Sequence, residues 1–300
     1  MKVEIEKLIR QIIERVIVFF AYQKSRLTGI PSKNERDEIK IWAHRGLSYD
    51  YPENTIEAFT EAAKLNGLTG IEFDVQRTGD GKLVVFHDET VNDRVAEIER
   101  GRRVYIKDIT CDKLQAYKLK INRLRKYRGS PLIIPTLEDV FKALKPYCEK
   151  KGLKLNIELK TSVVRYEGIE RETCDMVKKY GLGKYIIYSS FLPDTIRLIK
   201  EIEPLAQTGM LQNTLSDCIK KGDSAGADAY HPWAGALNIK RMKIGNRPIR
   251  AFGLGEPMYS EKRLISRRDM RNLCSLGVTD IITNVADRYL DEGKGSHRHL

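Results

Sequence analysis

Cysteine is scarce in this sequence, and the cysteines that it has show no metal or redox spacing. They number five, an odd count, and no C-x-x-C pair occurs. Such a set argues against a disulfide framework and predicts free thiols in a reducing compartment. Residues 1–22 also lack the basic-then-apolar order and the small-residue cleavage site of a secretory signal, so a cytoplasmic location is predicted. The cysteines are Cys111, Cys148, Cys174, Cys218 and Cys274.

Long apolar runs are absent too. No stretch approaches the roughly 20 apolar residues that a membrane-spanning helix needs. The chain contains 22 glycines and 10 prolines among 300 residues, with 41% hydrophobic and 31% charged residues, which excludes collagen-like and largely disordered proteins. This length and composition suit a globular protein as large as a single α/β barrel.

Negative charge is in deficit. The sequence has 53 lysines and arginines against 41 acidic residues, a formal net charge of +12. An excess of this kind favours an anionic partner, such as a phosphate ester, a lipid headgroup or nucleic acid. The basic residues are spread along the chain apart from clusters such as that within residues 123–128, and no basic tail or zinc-finger spacing occurs. The charge does not choose between a phosphate ester and a lipid headgroup, but the spread of the basic residues leads us to expect no nucleic acid.

The first segment of the chain has apolar residues at helical spacing. The pattern predicts an amphipathic helix over about residues 3–22, followed by a linker that ends near residue 38. This arm can pack on the rest of the chain, on a second subunit of a homo-oligomer, or on a membrane surface as a peripheral anchor, and the sequence leaves these alternatives open. Its apolar residues are Val3, Leu8, Ile12, Ile13, Val16, Ile17, Phe19 and Phe20.

From residue 39 onward, short apolar runs alternate with segments of helical period. About eight such repeats predict a TIM-type (β/α)8 barrel over residues 39–290, followed by a polar tail at 291–300. A doubly wound open sheet is the alternative, but no G-x-G-x-x-G follows the first run. Residues 89–135 break the rhythm and are predicted to be a small insertion over the C-terminal face of the barrel. The predicted strands are 39–43, 70–75, 83–86, 153–159, 185–189, 207–211, 228–230, 248–252 and 280–282, and the predicted helices include 55–65, 111–119, 136–150, 169–180, 194–203 and 267–276.

Acidic residues lie within two of the predicted strands. In a barrel of this type the active site lies at the C-terminal ends of the strands. Glu72 and Asp74 are two residues apart on one strand, so both side chains point to the same face, and Glu158 is placed on that face by the same alternation. Three carboxylates facing a barrel interior suit a hard divalent cation. Salt bridges to barrel arginines and lysines are the alternative.

Basic residues lie close to these acids. His44 and His87 each follow an apolar run and suit acid/base chemistry, because imidazole exists in both protonation states near pH 7. Arg45 and Lys160 are suited to holding a phosphoryl group. His231 ends a further run, where it either contacts substrate or has a structural role.

Several linked motifs occur in order and together resemble the glycerophosphodiester phosphodiesterase family. The resemblance implies hydrolysis of glycerophosphodiesters to glycerol 3-phosphate and an alcohol, with one divalent cation, Mg²⁺ or Ca²⁺. It also implies that the substrate's own hydroxyl attacks phosphorus and that water then opens a cyclic phosphate. The motifs are His44-Arg45-Gly46, Pro52-Glu53-Asn54-Thr55, Glu72-Phe73-Asp74-Val75, the run from Leu83 to Asp88, Glu158-Leu159-Lys160 and Ser189-Ser190-Phe191.

The resemblance assigns roles by position. It implies metal binding by Glu72, Asp74 and Glu158, with support from Glu53 and Asn54. His44 and His87 become the catalytic acid/base pair, and Arg45 and Lys160 bind the phosphate and take part in catalysis.

The sequence departs from the family in the seventh strand, where the family commonly has Trp-Thr-Val-Asn and this chain has residues 251–256, AFGLGE. Phe252, with Phe191, is predicted to form an apolar wall in contact with the substrate. The departure leaves open a lysophospholipase D that acts on lysophospholipids at a membrane surface. A non-catalytic barrel that binds anionic headgroups or a protein partner is the alternative from another class.

Overall fold

The structure is a computed structural model that describes residues 39–95, 98, 103–120, 127, 129, 132–237, 247–254, 273 and 277–291. The predicted N-terminal arm and linker lie outside the described residues. So do the polar tail beyond residue 291 and nearly all of the helix predicted at 267–276.

Nine strands and seven α-helices are present in the described ranges. None of these helices combines the length and the hydropathy needed to cross a bilayer. The strands are β1 (Lys40–His44), β2 (Gly70–Arg77), β3 (Leu83–Val85), β4 (Lys154–Leu159), β5 (Ile186–Ser190), β6 (Gln207–Gln212), β7 (Ala229–Pro232), β8 (Arg250–Leu254) and β9 (Asp280–Thr283). The helices are α1 (Ile56–Lys64), α2 (Cys111–Ala116), α3 (Leu137–Lys151), α4 (Ile169–Tyr180), α5 (Pro193–Ile202), α6 (Leu215–Ala225) and α7 (Ala286–Asp291).

Eight of the strands form a closed parallel barrel. Their order is β7-β6-β5-β4-β2-β1-β9-β8. Two isolated parallel bridges, Tyr230 with Ile249 and Trp233 with Phe252, join β7 to β8 and close the ring. The predicted TIM-type (β/α)8 fold is therefore confirmed, and the open sheet is excluded.

Strand β3 corrects one element of the predicted alternation, because it is antiparallel to β2 and lies outside the barrel. Only residues 78–82 separate the two strands, too few for the crossover that a parallel pair requires. Gly81 adopts a left-handed φ of 82° in this turn. The hairpin returns the chain along β2, and the Phe86 amide donates to the Asp74 carbonyl at 3.0 Å. His87 thereby reaches the C-terminal end of β2 although it follows no barrel strand.

The segment after β3 forms a hydrophobic cluster of its own, which we call the insertion core. It includes α2, and antiparallel bridges tie Thr90 to Tyr105 and Val95 to Leu119. Its fully buried members include Val91 and Ile106. The segment is therefore anchored beside β3 by burial of its own apolar side chains rather than by the barrel ring. The buried residues of the insertion core are Val84, Phe86, Val91, Val95, Val104, Ile106, Ile109, Cys111, Leu114, Leu119, Leu132 and Ile134.

Helix boundaries follow local sequence chemistry. Helix α3 begins with a capping box between Thr136 and Asp139 and ends at Gly152, which has a left-handed φ of 72°. Helix α6, for which the sequence analysis named no segment, is capped by the Thr214 side chain. The four cysteines within the described residues are buried and free, as predicted.

Candidate active site

The C-terminal strand ends enclose one cavity that contains most of the residues singled out from the sequence. Eight of the predicted site residues line it, and Asp74 lies fully buried beside it. The lining residues are His44, Arg45, Glu72, His87, Asn156, Glu158, Lys160, Ser189, Phe191, Leu211, Phe252 and Ile282.

Three acidic side chains converge at the base of this cavity. The carboxylates of Glu72, Asp74 and Glu158 each offer an oxygen, and these oxygens lie within 4.8 Å of one another. Strand pairing explains the convergence, because Asp74 lies directly opposite Glu158 and Glu72 is two residues earlier on β2. All three residues are buried. The period of two along β2 therefore produces the arrangement that the sequence predicted.

Burial of these acids affects their protonation. Desolvation, together with the charges of Asp74 and Glu158, raises the pKa of Glu72 well above its ordinary value. Burial also acts to raise the pKa of Asp74, but nearby cations, chiefly Arg45, hold it well below its usual range. The cluster thus holds more negative charge than its surroundings readily stabilise, which is the electrostatic condition for cation binding.

One carboxylate oxygen of the cluster is left without a hydrogen bond. Asp74 Oδ2 accepts from Asn54 Nδ2 at 2.9 Å and lies 3.2 Å from Arg45 Nε. Asp74 Oδ1 is buried and has no hydrogen-bond partner among the described residues, and Lys160 Nζ is 3.8 Å away. An orphaned buried carboxylate oxygen needs a ligand. The donor set of three carboxylates therefore fits a hard divalent cation, although the salt bridges foreseen as the alternative are present beside it.

Two residues support the cluster from the loop after β1. Asn54 has a left-handed φ of 57°, and its backbone N–H donates to the Arg45 backbone carbonyl at 3.1 Å. Arg45 also has a left-handed φ, of 55°. Glu53 accepts a bond from Arg45 Nη1 at 3.1 Å. Such backbone strain in non-glycine residues is typical of functional sites.

Lys160 is held by two acids of the cluster, Glu158 and Asp74. Its Nζ lies 3.0 Å from Glu158 Oε1. Burial acts to lower the pKa of Lys160, but the carboxylates of Glu158 and Asp74 outweigh it and raise that pKa. Lys160 is therefore a fixed positive charge at the cavity wall.

The two cavity histidines have different partners. His44 Nδ1 lies 2.6 Å from Asn284 Oδ1, an acceptor, so Nδ1 carries the proton. His44 Nε2 lies 3.7 Å from Glu72 Oε2. Burial and the charge of Arg45 lower the pKa of His44 to about 3, so the ring is neutral near pH 7. His87 Nδ1 lies 2.6 Å from Asp88 Oδ1. Asp88 belongs to the motif that runs from Leu83 to Asp88, but only the structure shows that Asn284 and Asp88 orient the histidines.

Two further polar residues line the cavity, Asn156 and Ser189; the sequence analysis did not name Asn156 and gave Ser189 no role. Both amide atoms of Asn156 and the Ser189 hydroxyl are buried without hydrogen-bond partners in the part of the chain that the structure describes. Asn156 is two residues before Glu158, and Ser189 pairs directly with Glu158 across β4 and β5. The alternation that identified Glu158 was a signal that could have found Asn156.

The sequence profile of the Glycerophosphoryl diester phosphodiesterase family matches residues 44–288. The chain belongs to this family. It is therefore a phosphoric diester hydrolase, as the motifs indicated, and the non-catalytic alternative is excluded. A glycerophosphodiester phosphodiesterase of Bacillus altitudinis is 31% identical over 253 residues, covering 83% of this chain and 96% of that protein. An uncharacterized protein of Bacillus subtilis, YqiK, is 31% identical over 258 residues with the same coverage.

Solved structures share the fold of this phosphodiesterase family member. A putative glycerophosphoryl diester phosphodiesterase from Silicibacter pomeroyi has a TM-score of 0.69 at 19% identity and covers 85% of this chain and 94% of its own. A phosphodiesterase of Oleispira antarctica, in complex with the product sn-glycerol-3-phosphate, has a TM-score of 0.66 at 20% identity and covers 85% and 97%. At these identities the likeness concerns the barrel itself.

The departure from the family pattern lies in β8, the seventh parallel strand. Phe252 stands edge-on to Phe191, with ring centroids 6.0 Å apart, and both line the cavity. The register shifts between Phe252 and Leu254, and Gly253 between them has a φ of 81°. A Cβ at position 253 would lie 2.7 Å from the Trp233 ring, so the absence of a side chain at Gly253 leaves room for this ring. Phe191 and Phe252 thus form an aromatic part of the cavity wall beside this strand.

His231 lies apart from the described cavity lining. It is fully buried, and its Nε2 lies 3.2 Å from Arg250 Nη1. Its position matches the structural role that the sequence left open rather than substrate contact.

His231 is expected to make the stability of this phosphodiesterase family member fall in acid. Burial, with the charge of Arg250, lowers the pKa of His231 well below its ordinary value. Below a pH of about 6.5 the unfolded chain therefore binds a proton that the folded chain does not. The free energy of unfolding should fall by about 1.4 kcal/mol per pH unit from this residue, and the contribution is complete above that pH.

Urea unfolding of the wild type and His231→Gln in EDTA, between about pH 7 and about pH 5, checks this sign and slope. His44, whose pKa is also lowered by burial, makes the same contribution to the free energy of unfolding in both proteins. The difference between the two pH profiles therefore isolates His231. Parallel profiles would show that His231 is not held neutral by the fold.

Proposed function

We propose that this chain hydrolyses glycerophosphodiesters to glycerol 3-phosphate and an alcohol, with one divalent cation and a histidine acid/base pair. The observation that carries the proposal is one cavity lined by two buried carboxylates, two histidines and two fixed cations, with the third carboxylate of the cluster, Asp74, buried beside it. Phosphodiester cleavage needs each of these chemical types, because negative charge develops on phosphoryl oxygens while one proton is removed and another is supplied.

Glu72, Asp74 and Glu158 would hold the cation. When bound, Mg²⁺ or Ca²⁺ would offset the carboxylate charge and stabilise the negative charge that develops on the phosphoryl oxygens. Asn54 and Arg45 fix Asp74 Oδ2, which keeps the Asp74 carboxylate in place and leaves its Oδ1 available.

His44 is assigned as the general base. Its Nδ1 is engaged by Asn284, so Nε2 can accept the proton of the substrate's own hydroxyl as that oxygen attacks phosphorus. Burial keeps the ring neutral, which is the protonation state that a base requires.

His87 is assigned as the general acid. The Asp88 carboxylate accepts from Nδ1 and orients the ring, so that Nε2 can donate a proton to the leaving alkoxide. A five-membered cyclic phosphate and the free alcohol result. In the second step water attacks phosphorus, His87 takes the water proton, and His44 returns its proton to the glycerol oxygen.

Arg45 and Lys160 stabilise the phosphoryl oxygens. Both side chains are already held by carboxylates, Arg45 by Glu53 and Lys160 by Glu158. Positive groups that need no rearrangement when charge develops lower the barrier more effectively than mobile ones.

The comparisons support the choice of substrate. The Bacillus altitudinis relative is named as a glycerophosphodiester phosphodiesterase, and the Oleispira antarctica structure contains sn-glycerol-3-phosphate as a product. The same chemistry on this chain would release glycerol 3-phosphate.

The substrate test measures two products side by side. Glycerol 3-phosphate release from glycerophosphocholine and lysophosphatidic acid release from lysophosphatidylcholine are assayed with Mg²⁺, with Ca²⁺ and with EDTA. We expect cation-dependent turnover of glycerophosphocholine that EDTA abolishes. Turnover of lysophosphatidylcholine alone would instead identify a lysophospholipase D, and turnover that survives EDTA would refute the cation requirement.

A further inference from the structure

An arginine in the segment after β3 touches two acids at the edge of the cavity. Arg94 Nε lies 3.0 Å from Asp88 Oδ2, and Arg94 Nη2 lies 3.2 Å from Glu53 Oε1. Two different nitrogens of one guanidinium therefore bind two different carboxylates, which the planar fork of arginine permits and a lysine ammonium does not reproduce.

Each of these acids in turn holds a group of the proposed chemistry. Asp88 Oδ1 accepts from His87 Nδ1 at 2.6 Å. Glu53 Oε1, the same oxygen that Arg94 contacts, accepts from Arg45 Nη1 at 3.1 Å. The chain of contacts runs from His87 through Asp88, Arg94 and Glu53 to Arg45.

The backbone of Arg94 is fixed by the insertion core. Its amide donates to the Val91 carbonyl at 3.0 Å, and its carbonyl accepts from the Lys120 amide at 2.7 Å. Its neighbours Val91 and Val95 are buried in the insertion core. The packing of the inserted segment therefore sets where the guanidinium lies relative to the cavity.

We infer that Arg94 is a positioning residue for both His87 and Arg45. It holds Asp88 and Glu53 in the orientations that aim the proposed general acid and one phosphate-binding cation into the cavity. Through Arg94 the inserted segment thereby helps to form the active site. The roles of His87 and Arg45 in this inference rest on the proposed function. The link between these two residues through Arg94 rests on the contacts alone.

Steady-state kinetics of Arg94→Ala and Arg94→Lys with glycerophosphocholine test the inference. Arg103→Ala is the matched control, because Arg103 is an exposed arginine of the same segment. Loss of an outer partner of a catalytic group costs about 10- to 100-fold in activity. We expect a loss of this size, mainly in kcat, for Arg94→Ala, a similar loss for Arg94→Lys, and wild-type kinetics for Arg103→Ala.

A double-mutant cycle separates positioning from simple anchoring of the segment. If Arg94 acts through Asp88 and Glu53, Arg94→Ala should lower kcat by less in an Asp88→Asn background than in the wild type, and should add little in an Asp88→Asn, Glu53→Gln background. Multiplied losses, or an Arg94→Ala enzyme with a lower melting temperature but wild-type kcat, would overturn the inference.

A readout independent of turnover keeps the inference testable if the proposed function fails. The short His87–Asp88 bond should produce a far-downfield Nδ1 proton in NMR spectra of protein with ¹⁵N-labelled histidine, assigned by its loss in His87→Asn. We expect this resonance to shift or broaden in Arg94→Ala and to be unchanged in Arg103→Ala. An unchanged resonance in Arg94→Ala would refute the coupling, whatever the activity assays show.

Discussion

Glu72→Gln is expected to abolish cation-dependent turnover while the barrel stays folded. Glutamine keeps the size of the side chain but removes one of the three charges that converge within 4.8 Å. A cation on a phosphoryl oxygen supplies several kcal/mol of transition-state stabilisation, so kcat/KM should fall by at least about a thousandfold.

The stability of the same variant should change in the opposite direction. Without a cation, Glu72 faces the charges of Asp74 and Glu158, and burial further disfavours its ionised form. The metal-free Glu72→Gln protein should therefore melt at the same or a higher temperature than the metal-free wild type. This exchange of stability for activity is expected where like charges are assembled for function.

Thermal unfolding with added Mg²⁺ or Ca²⁺ checks the assignment without an activity assay. A cation at about 100 times its Kd should stabilise the wild type by about 2.7 kcal/mol, and Glu72→Gln should lose most of this gain. Glu149→Gln is the matched control, because Glu149 is exposed on α3. A Glu72→Gln enzyme with wild-type turnover and the wild-type thermal response would refute the cation site.

His44→Ala and His87→Ala are expected to lose about 10²- to 10⁴-fold in kcat with glycerophosphocholine, the range for loss of a general acid or base. The two variants should differ when the leaving group is changed. The p-nitrophenyl ester of glycerol 3-phosphate releases a phenolate that leaves without protonation. His87→Ala should therefore recover most of its rate with this substrate, and His44→Ala should not.

The pattern of rescue decides between the two roles. Recovery of His44→Ala rather than His87→Ala would reverse the assignment of base and acid. Losses below about tenfold in both variants would refute histidine acid/base catalysis. Both variants should keep the thermal response to Mg²⁺ or Ca²⁺, because neither histidine belongs to the carboxylate cluster, and this controls for misfolding.

The barrel was predictable from local pattern. Every predicted barrel strand lies within two residues of the strand observed, from β1 to β9. Parallel strands buried on both faces read as short apolar runs, and the helices between them have their own period. The direction of β3 was not predictable in this way, because an apolar run has the same composition whether its neighbour is parallel or antiparallel.

The chemical content of the cavity was also largely predictable. Glu72 and Asp74 share a face because strand side chains alternate, and Glu158 and Lys160 follow from the same rule on β4. The motifs supplied the histidines and Arg45. By contrast, nothing in the local pattern separated His231 from the cavity, since its burial beside Arg250 depends on a neighbouring strand.

The sequence by itself determined most of the residues that line the cavity, because alternation and apolar period are properties of neighbouring residues and the motifs are short and contiguous. Only the tertiary structure decided how those residues are oriented and charged. His44 is turned by Asn284, 240 positions away, and Arg94 reaches Glu53 and Asp88 from a segment packed around its own core. The pairing of β1 with β9 brings Asn284 to His44, and the packing of the insertion core places Arg94. Burial in the folded chain shifts the pKa values of Glu72 and His44, and none of these effects can be computed from spacing along the chain.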